Sequence, residues 1–126
     1  MDISEKDFLL SLQIPGIDIQ DGLEIYCGEA DIYLDVLRSF AEDSPELIDA
    51  LRRVSETSLA EYAINVHGLK GSFSNICANT MKERAFDLEK KAKAGDLQSV
   101  LALNEAFITD VETLVNDMQT CLMKFD

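Results

Sequence analysis

The chain holds one histidine, His67, and three residues further on a lysine, Lys70. An unperturbed imidazole titrates near pH ~6.5, so at neutral pH most rings keep a free lone pair on one nitrogen. Such a nitrogen can attack phosphorus and hold a phosphoryl group as a phosphoramidate. It needs no general base, because the attacking atom carries no proton. An ammonium at i+3 on the same helix would offset the charge that arrives. The residues around the pair are small: Ala60 and Ala63 before it, Gly71 and Ser74 after it. A glycine inside a helix costs about 1 kcal/mol relative to alanine, so Gly71 suggests a need for open space. The plain alternative is a surface histidine without a role, since single exposed residues usually need no explanation.

Other chemistries fit less well. Cys27, Cys77 and Cys121 are odd in number and form no C-x-x-C pair. They read as reduced thiols, two or three of them packed as small apolar side chains. One histidine cannot complete a zinc site with them at the usual spacings, nor supply the paired Glu-x-x-His motifs of di-metal bundles. Ser72 and Cys77 lie near His67 but lack an evident third group to orient a hydrolytic triad. No metal site is expected.

The elements that must position the pair read as helices throughout. Ser4 opens a short helix with Phe8, Leu9 and Leu12 on one face, and Pro15-Gly16 closes it. Asp18 can cap a second short segment with Ile19, Leu23 and Tyr26, ended by Gly28. From Glu29 the apolar stripe is Ala30, Tyr33, Leu34, Leu37, Phe40 and Ala41, continuing in phase through Leu47, Ile48, Leu51 and Val54. Ser44-Pro45 interrupts it, which predicts one long bent helix or two nearly collinear ones. Ser58 starts the histidine helix, with the seam Leu59, Tyr62, Val66, Leu69, Phe73 and Ile76. Thr80-Met81-Lys82-Glu83 reads as a capping box for the next helix, which carries Met81, Ala85, Leu88 and Ala92. Gly95-Asp96 stops it and caps a last helix to about Met123. Short connections make neighbours antiparallel. The expectation is an all-α, antiparallel up-and-down four-helix bundle over about 29–123, with a short helical N-terminal cover over about 4–28, all one domain spanning 1–126.

At about 100° per residue His67 lies roughly 130° from the seam of its own helix, too far round to belong to the core. Charge supports this. The whole chain has net charge −13, which disfavours nucleic acid and anionic membrane as partners. Yet Lys70–Lys93 holds six basic and three acidic residues. An anion on His67 would therefore meet local positive charge, with Lys82 and Arg84 as partner-docking charges. No apolar run approaches the roughly 20 residues that span a bilayer, and Met1–Glu5 shows no leader pattern. The expected location is cytoplasmic.

The segment His67-Gly68-Leu69-Lys70-Gly71-Ser72, then Asn75-Ile76-Cys77-Ala78, resembles the signature of histidine-containing phosphotransfer (HPt) domains. That pattern is roughly H-x-L-K-G-S/A followed by I-G-A. Gly22-Leu23 before Tyr26 and Gly28, then Tyr33, Leu37 and Phe40, is similar to the family's N-terminal half. Ala85, Leu88, Glu89, Ala92 and Ala94-Gly95-Asp96 are similar to the helix after the site, so the likeness covers about residues 16–118.

The resemblance implies a four-helix bundle that carries phosphoryl groups between receiver-domain aspartates in a multistep phosphorelay, with no kinase activity of its own. His67 would be the phosphoacceptor, Lys70 would neutralise the phosphoryl oxygens, and Gly71, with Ala63 and Ser74, would clear space. Partners would be receiver domains of response regulators or a hybrid sensor histidine kinase. No cofactor is implied, Mg²⁺ belonging to the receiver. An exposed phosphoacceptor favours a monomer, either a freestanding carrier or a domain of a larger kinase. The chain departs from the pattern at Cys77, where the family most often has Gly, and at Val66, where Ala is commoner. The competing reading is a docking module that binds a receiver or sensor kinase without taking phosphate.

Overall fold

The computed structural model describes residues 4–124, so Met1–Ile3 and the outer limits of the expected domain lie outside the described residues. Six helices follow one another: α1 Glu5–Ser11, α2 Ile19–Ile25, α3 Ala30–Arg52, α4 Leu59–Ile76, α5 Asn79–Lys93 and α6 Leu97–Leu122. Helix α4 packs on α3 and α5, and α6 packs on α5 and α3, which closes the four long helices into a ring. Helices α1 and α2 lie against α3. This is the expected helical bundle with its N-terminal cover.

Local chemistry sets most boundaries. The side chains of Ser4, Asp18 and Asp96 accept from the backbone N–H of Asp7, Asp21 and Ser99, capping α1, α2 and α6. Gly28 and Gly95 take the left-handed conformation just past α2 and α5, where a side chain would be strained. Of the two alternatives at Ser44-Pro45 the structure has the single helix: α3 runs through without a restart, and buried Ser44 turns its hydroxyl back to the carbonyl of Phe40. One expectation needs correction. Helix α5 begins at Asn79 with Ala78 as its cap residue, so Thr80 falls inside the first turn and caps nothing.

The seam residues of α4 are all buried, as the periodicity requires. Phe40, Phe73 and Phe107 form an aromatic chain across α3, α4 and α6, with centroids 5.6 and 6.3 Å apart. A polar link runs beside it: the hydroxyl of Tyr62 donates to Oδ1 of Asn104 at 2.8 Å, and Nδ2 of Asn104 donates to the carbonyl of Leu51 at 2.9 Å. That satisfies a carbonyl of the last turn of α3, which has no partner within its own helix.

The C-terminus of the histidine helix is fully accounted for. Cys77 adopts φ 62°, and the N–H groups of Cys77 and Ala78 return to the carbonyls of Ser74 and Phe73, a Schellman closure. The next two carbonyls are met by two tyrosines: Tyr26 of the N-terminal cover donates to Asn75, and Tyr33 in the first turn of α3 donates to Ile76. The N–H of Asp18 donates to the carbonyl of Cys77. Tyr26 and Tyr33 stack with centroids 5.4 Å apart, and burial pushes both phenols above their ordinary range. A β-carbon on Gly22 would stand 2.1 Å from the Tyr33 ring, so only glycine lets that ring reach α4. The cover therefore locks the end of the helix that carries His67.

Candidate functional site

Helices α4 and α5 run antiparallel across a two-residue connection, so one turn forward along α4 faces one turn back along α5. His67 lies opposite Glu89. The His67 side chain is 63% exposed, while that of Glu89 is 3% exposed. Nδ1 of His67 lies 2.6 Å from Oε2 of Glu89, and Nζ of Lys70 lies 2.7 Å from Oε1. Lys93, one turn along α5, places its Nζ 3.1 Å from Oε2. One buried carboxylate thus gathers three nitrogen groups from two helices.

The electrostatics decide the ring's tautomer. The hydrogen bond from Lys70 draws the Glu89 carboxyl down to about 2, with Lys93 and His67 adding to the effect against the opposing pull of burial. At neutral pH Glu89 is a carboxylate and can only accept. Nδ1 must then carry the proton, which leaves the lone pair of the neutral ring on Nε2. No protein group among the described residues hydrogen-bonds to Nε2, and the ring it belongs to faces water.

The surroundings are apolar and low. A shallow hollow of about 520 Å³ opens beside the imidazole, floored by Leu59, Ala63 and Ala92 and edged by Ala60 and Ile64. Ile64 is 71% exposed and Phe86, on the other flank, is 48% exposed. Gly71 is exposed and an added β-carbon there would touch nothing within 4 Å. Ser74 is half-buried.

Two expected site residues are placed differently. Ala63 is only 6% exposed and forms the floor of the hollow, because α5 packs closely enough to cover that flank of α4. Arg84 turns away: it pairs with Asp110 of α6 at 2.6 Å and lies over the Phe107 ring. Around α5 it sits about 140° from Glu89, on the opposite side from the histidine. Lys82, by contrast, is exposed and about 20° from Glu89, two turns nearer the helix start. The thiols are also mixed: Cys77 is buried, Cys121 half-buried and Cys27 exposed.

Sequence reasoning gave Glu89 and Lys93 no role at the site, Glu89 entering only through the family likeness and Lys93 only in the charge count. The signal for Glu89 was its register: it falls between Ala85 and Ala92 on the apolar stripe of α5, where a carboxylate survives only if cations meet it. Lys93 follows at i+4, the usual position for such a partner. Among the described residues no group of three His, Cys, Asp or Glu side chains is placed to hold a metal ion, and no helix is long and apolar enough to cross a membrane.

No curated protein and no solved structure gives a significant match to the chain. The family model described as Hpt domain matches residues 35–120, more than half of the chain and including α4, α5 and the whole His67–Glu89–Lys70 cluster. The chain therefore belongs to the Hpt domain family, whose general role is histidine phosphotransfer in phosphorelays.

Proposed function

We propose that this protein takes a phosphoryl group from a receiver-domain aspartate onto Nε2 of His67 and passes it to the aspartate of another receiver. The observation that carries this reading is the pairing of an exposed ring with a buried carboxylate on its inner nitrogen. The Nε2 lone pair attacks phosphorus while the bond from phosphorus to the aspartyl oxygen breaks, and the aspartate leaves with that electron pair. No proton has to move. The ring, already protonated on Nδ1, gains positive charge as the Nε2–P bond forms. Glu89 stands 2.6 Å from Nδ1 to meet it. Return of the group to a second aspartate is the same step reversed.

The phosphoryl group brings close to two negative charges. Lys70 and Lys93 are the cations within reach, both presently held by Glu89. Each can turn outward to a phosphoryl oxygen while Glu89 keeps the Nδ1 proton. Ile64 and the hollow it edges supply the apolar contact for a receiver, and Lys82 an outer charge. Mg²⁺ belongs to the receiver's acidic pocket. The chain acts as a carrier and has no kinase activity of its own, as is general in its family.

The test is incubation with a receiver domain carrying labelled aspartyl phosphate. Label that moves to this chain, survives alkali and is lost in acid is expected, with none on a folded His67→Gln variant. A complex that forms without label would replace the carrier reading with a docking module. Label persisting on His67→Gln would move the site elsewhere.

A further inference from the structure

Lys70 has a second partner besides Glu89. Its Nζ lies 4.8 Å from the centroid of the Phe86 ring, and Nζ of Lys90 lies 4.7 Å from the same centroid. Phe86 precedes Glu89 by one turn of α5, as Lys70 follows His67 by one turn of α4, so the antiparallel packing brings the second pair together as it does the first. The Lys70 side chain is only 25% exposed, although Gly71 and Ser74 leave its surroundings open. The cover comes from α5.

The geometry points to Phe86 as a positioning residue for Lys70. A lysine has four rotatable bonds and a strongly hydrated head, and loses much freedom when it is held in one place. Ring and carboxylate together hold Nζ beside the imidazole before any phosphoryl group arrives. When Nε2 is phosphorylated, Glu89 stays with the Nδ1 proton and Lys70 shifts to the phosphoryl oxygens, guided by the negative face of the ring. Without the ring that ammonium would be free to swing into water. Lys90 shares the ring's attraction but not Glu89, and so stays outside the cluster.

This role rests on phosphoryl acceptance by His67, and the experiment separates the two. Phe86→Leu keeps an apolar side chain and removes the π face. Transfer from a phosphorylated receiver should slow about fivefold in its rate constant at saturating receiver. The half-saturating receiver concentration should hold. In a Lys70→Ala background the same change should have no further effect. The ε-methylene protons of Lys70, shifted upfield by the ring current, should return to ordinary values in Phe86→Leu without any phosphate present. A raised half-saturation with an unchanged rate constant would make Phe86 a docking residue and overturn the proposal. Equal slowing with and without Lys70, or unmoved Lys70 signals, would also overturn it. If the unsubstituted protein takes no label, the carrier reading fails first, and the ring-current result still reports whether Phe86 holds Lys70.

Discussion

Glu89 and His67 are 22 positions apart in sequence and 2.6 Å apart in space, carboxylate oxygen to ring nitrogen. The carboxylate is buried and the ring is exposed. This makes Glu89 the residue that decides which nitrogen of the imidazole is nucleophilic.

Glu89→Ala should therefore change the ring before it changes anything else. In the unsubstituted protein the neutral imidazole should carry its proton on Nδ1, visible as the nitrogen pattern in long-range ¹H–¹⁵N spectra. In Glu89→Ala the proton should redistribute toward Nε2. A charge-assisted hydrogen bond contributes about 1.5–3 kcal/mol, so phosphoryl acceptance should slow about 10- to 150-fold. An unchanged tautomer in the variant would remove the basis for this role.

The same carboxylate makes stability depend on acid. Its ordinary value of 4.5 is drawn down to about 2 in the folded state, chiefly by Lys70. The folded protein thus binds this proton more weakly than the unfolded chain does. The stabilisation is complete above pH 4.5 and fades as pH falls toward 2. Glu89→Gln lacks this contribution. Denaturant midpoints measured from pH 7 downward should show the gap between the two proteins closing below pH 4.5. A constant gap would mean that Glu89 is not held as an ion.

Much of the fold was legible because core burial leaves a 3.6-residue imprint. Leu59, Tyr62, Val66, Leu69, Phe73 and Ile76 all proved buried, and His67, far round the wheel, proved exposed. Ala63 shows the limit of that method. A wheel measures angle from the seam but not how closely a neighbouring helix packs, and α5 covers more of α4 than the seam requires. Arg84 shows a second limit: its charge was readable, while its direction depended on Asp110, 26 positions away on α6.

Cys77 was legible only as a departure from the family pattern. The structure supplies the reason for that pattern. The position closes α4 in the left-handed conformation, at φ 62°, where glycine carries no penalty. Cysteine tolerates it here with its thiol buried, and burial pushes that thiol above its ordinary range. The left-handed backbone could not be read from spacing, because it belongs to the closure of α4 through the carbonyls of Ser74 and Phe73.

Gly71 separates what helps the free protein from what helps a partner. Its position is interior to α4, and a β-carbon there meets nothing within 4 Å. Gly71→Ala should therefore stabilise the isolated protein by about 0.4–1 kcal/mol, through reduced freedom of the unfolded chain and better helix propensity. The added methyl projects beside the imidazole, where a receiver must bring phosphorus to Nε2. Transfer should weaken, with a higher half-saturating receiver concentration, while thermal stability rises. Opposite signs in these two measurements would place the requirement for glycine at the interface with the receiver. If Gly71→Ala transferred phosphate as well as the parent and was more stable, the small residue at 71 would have no part in receiver approach.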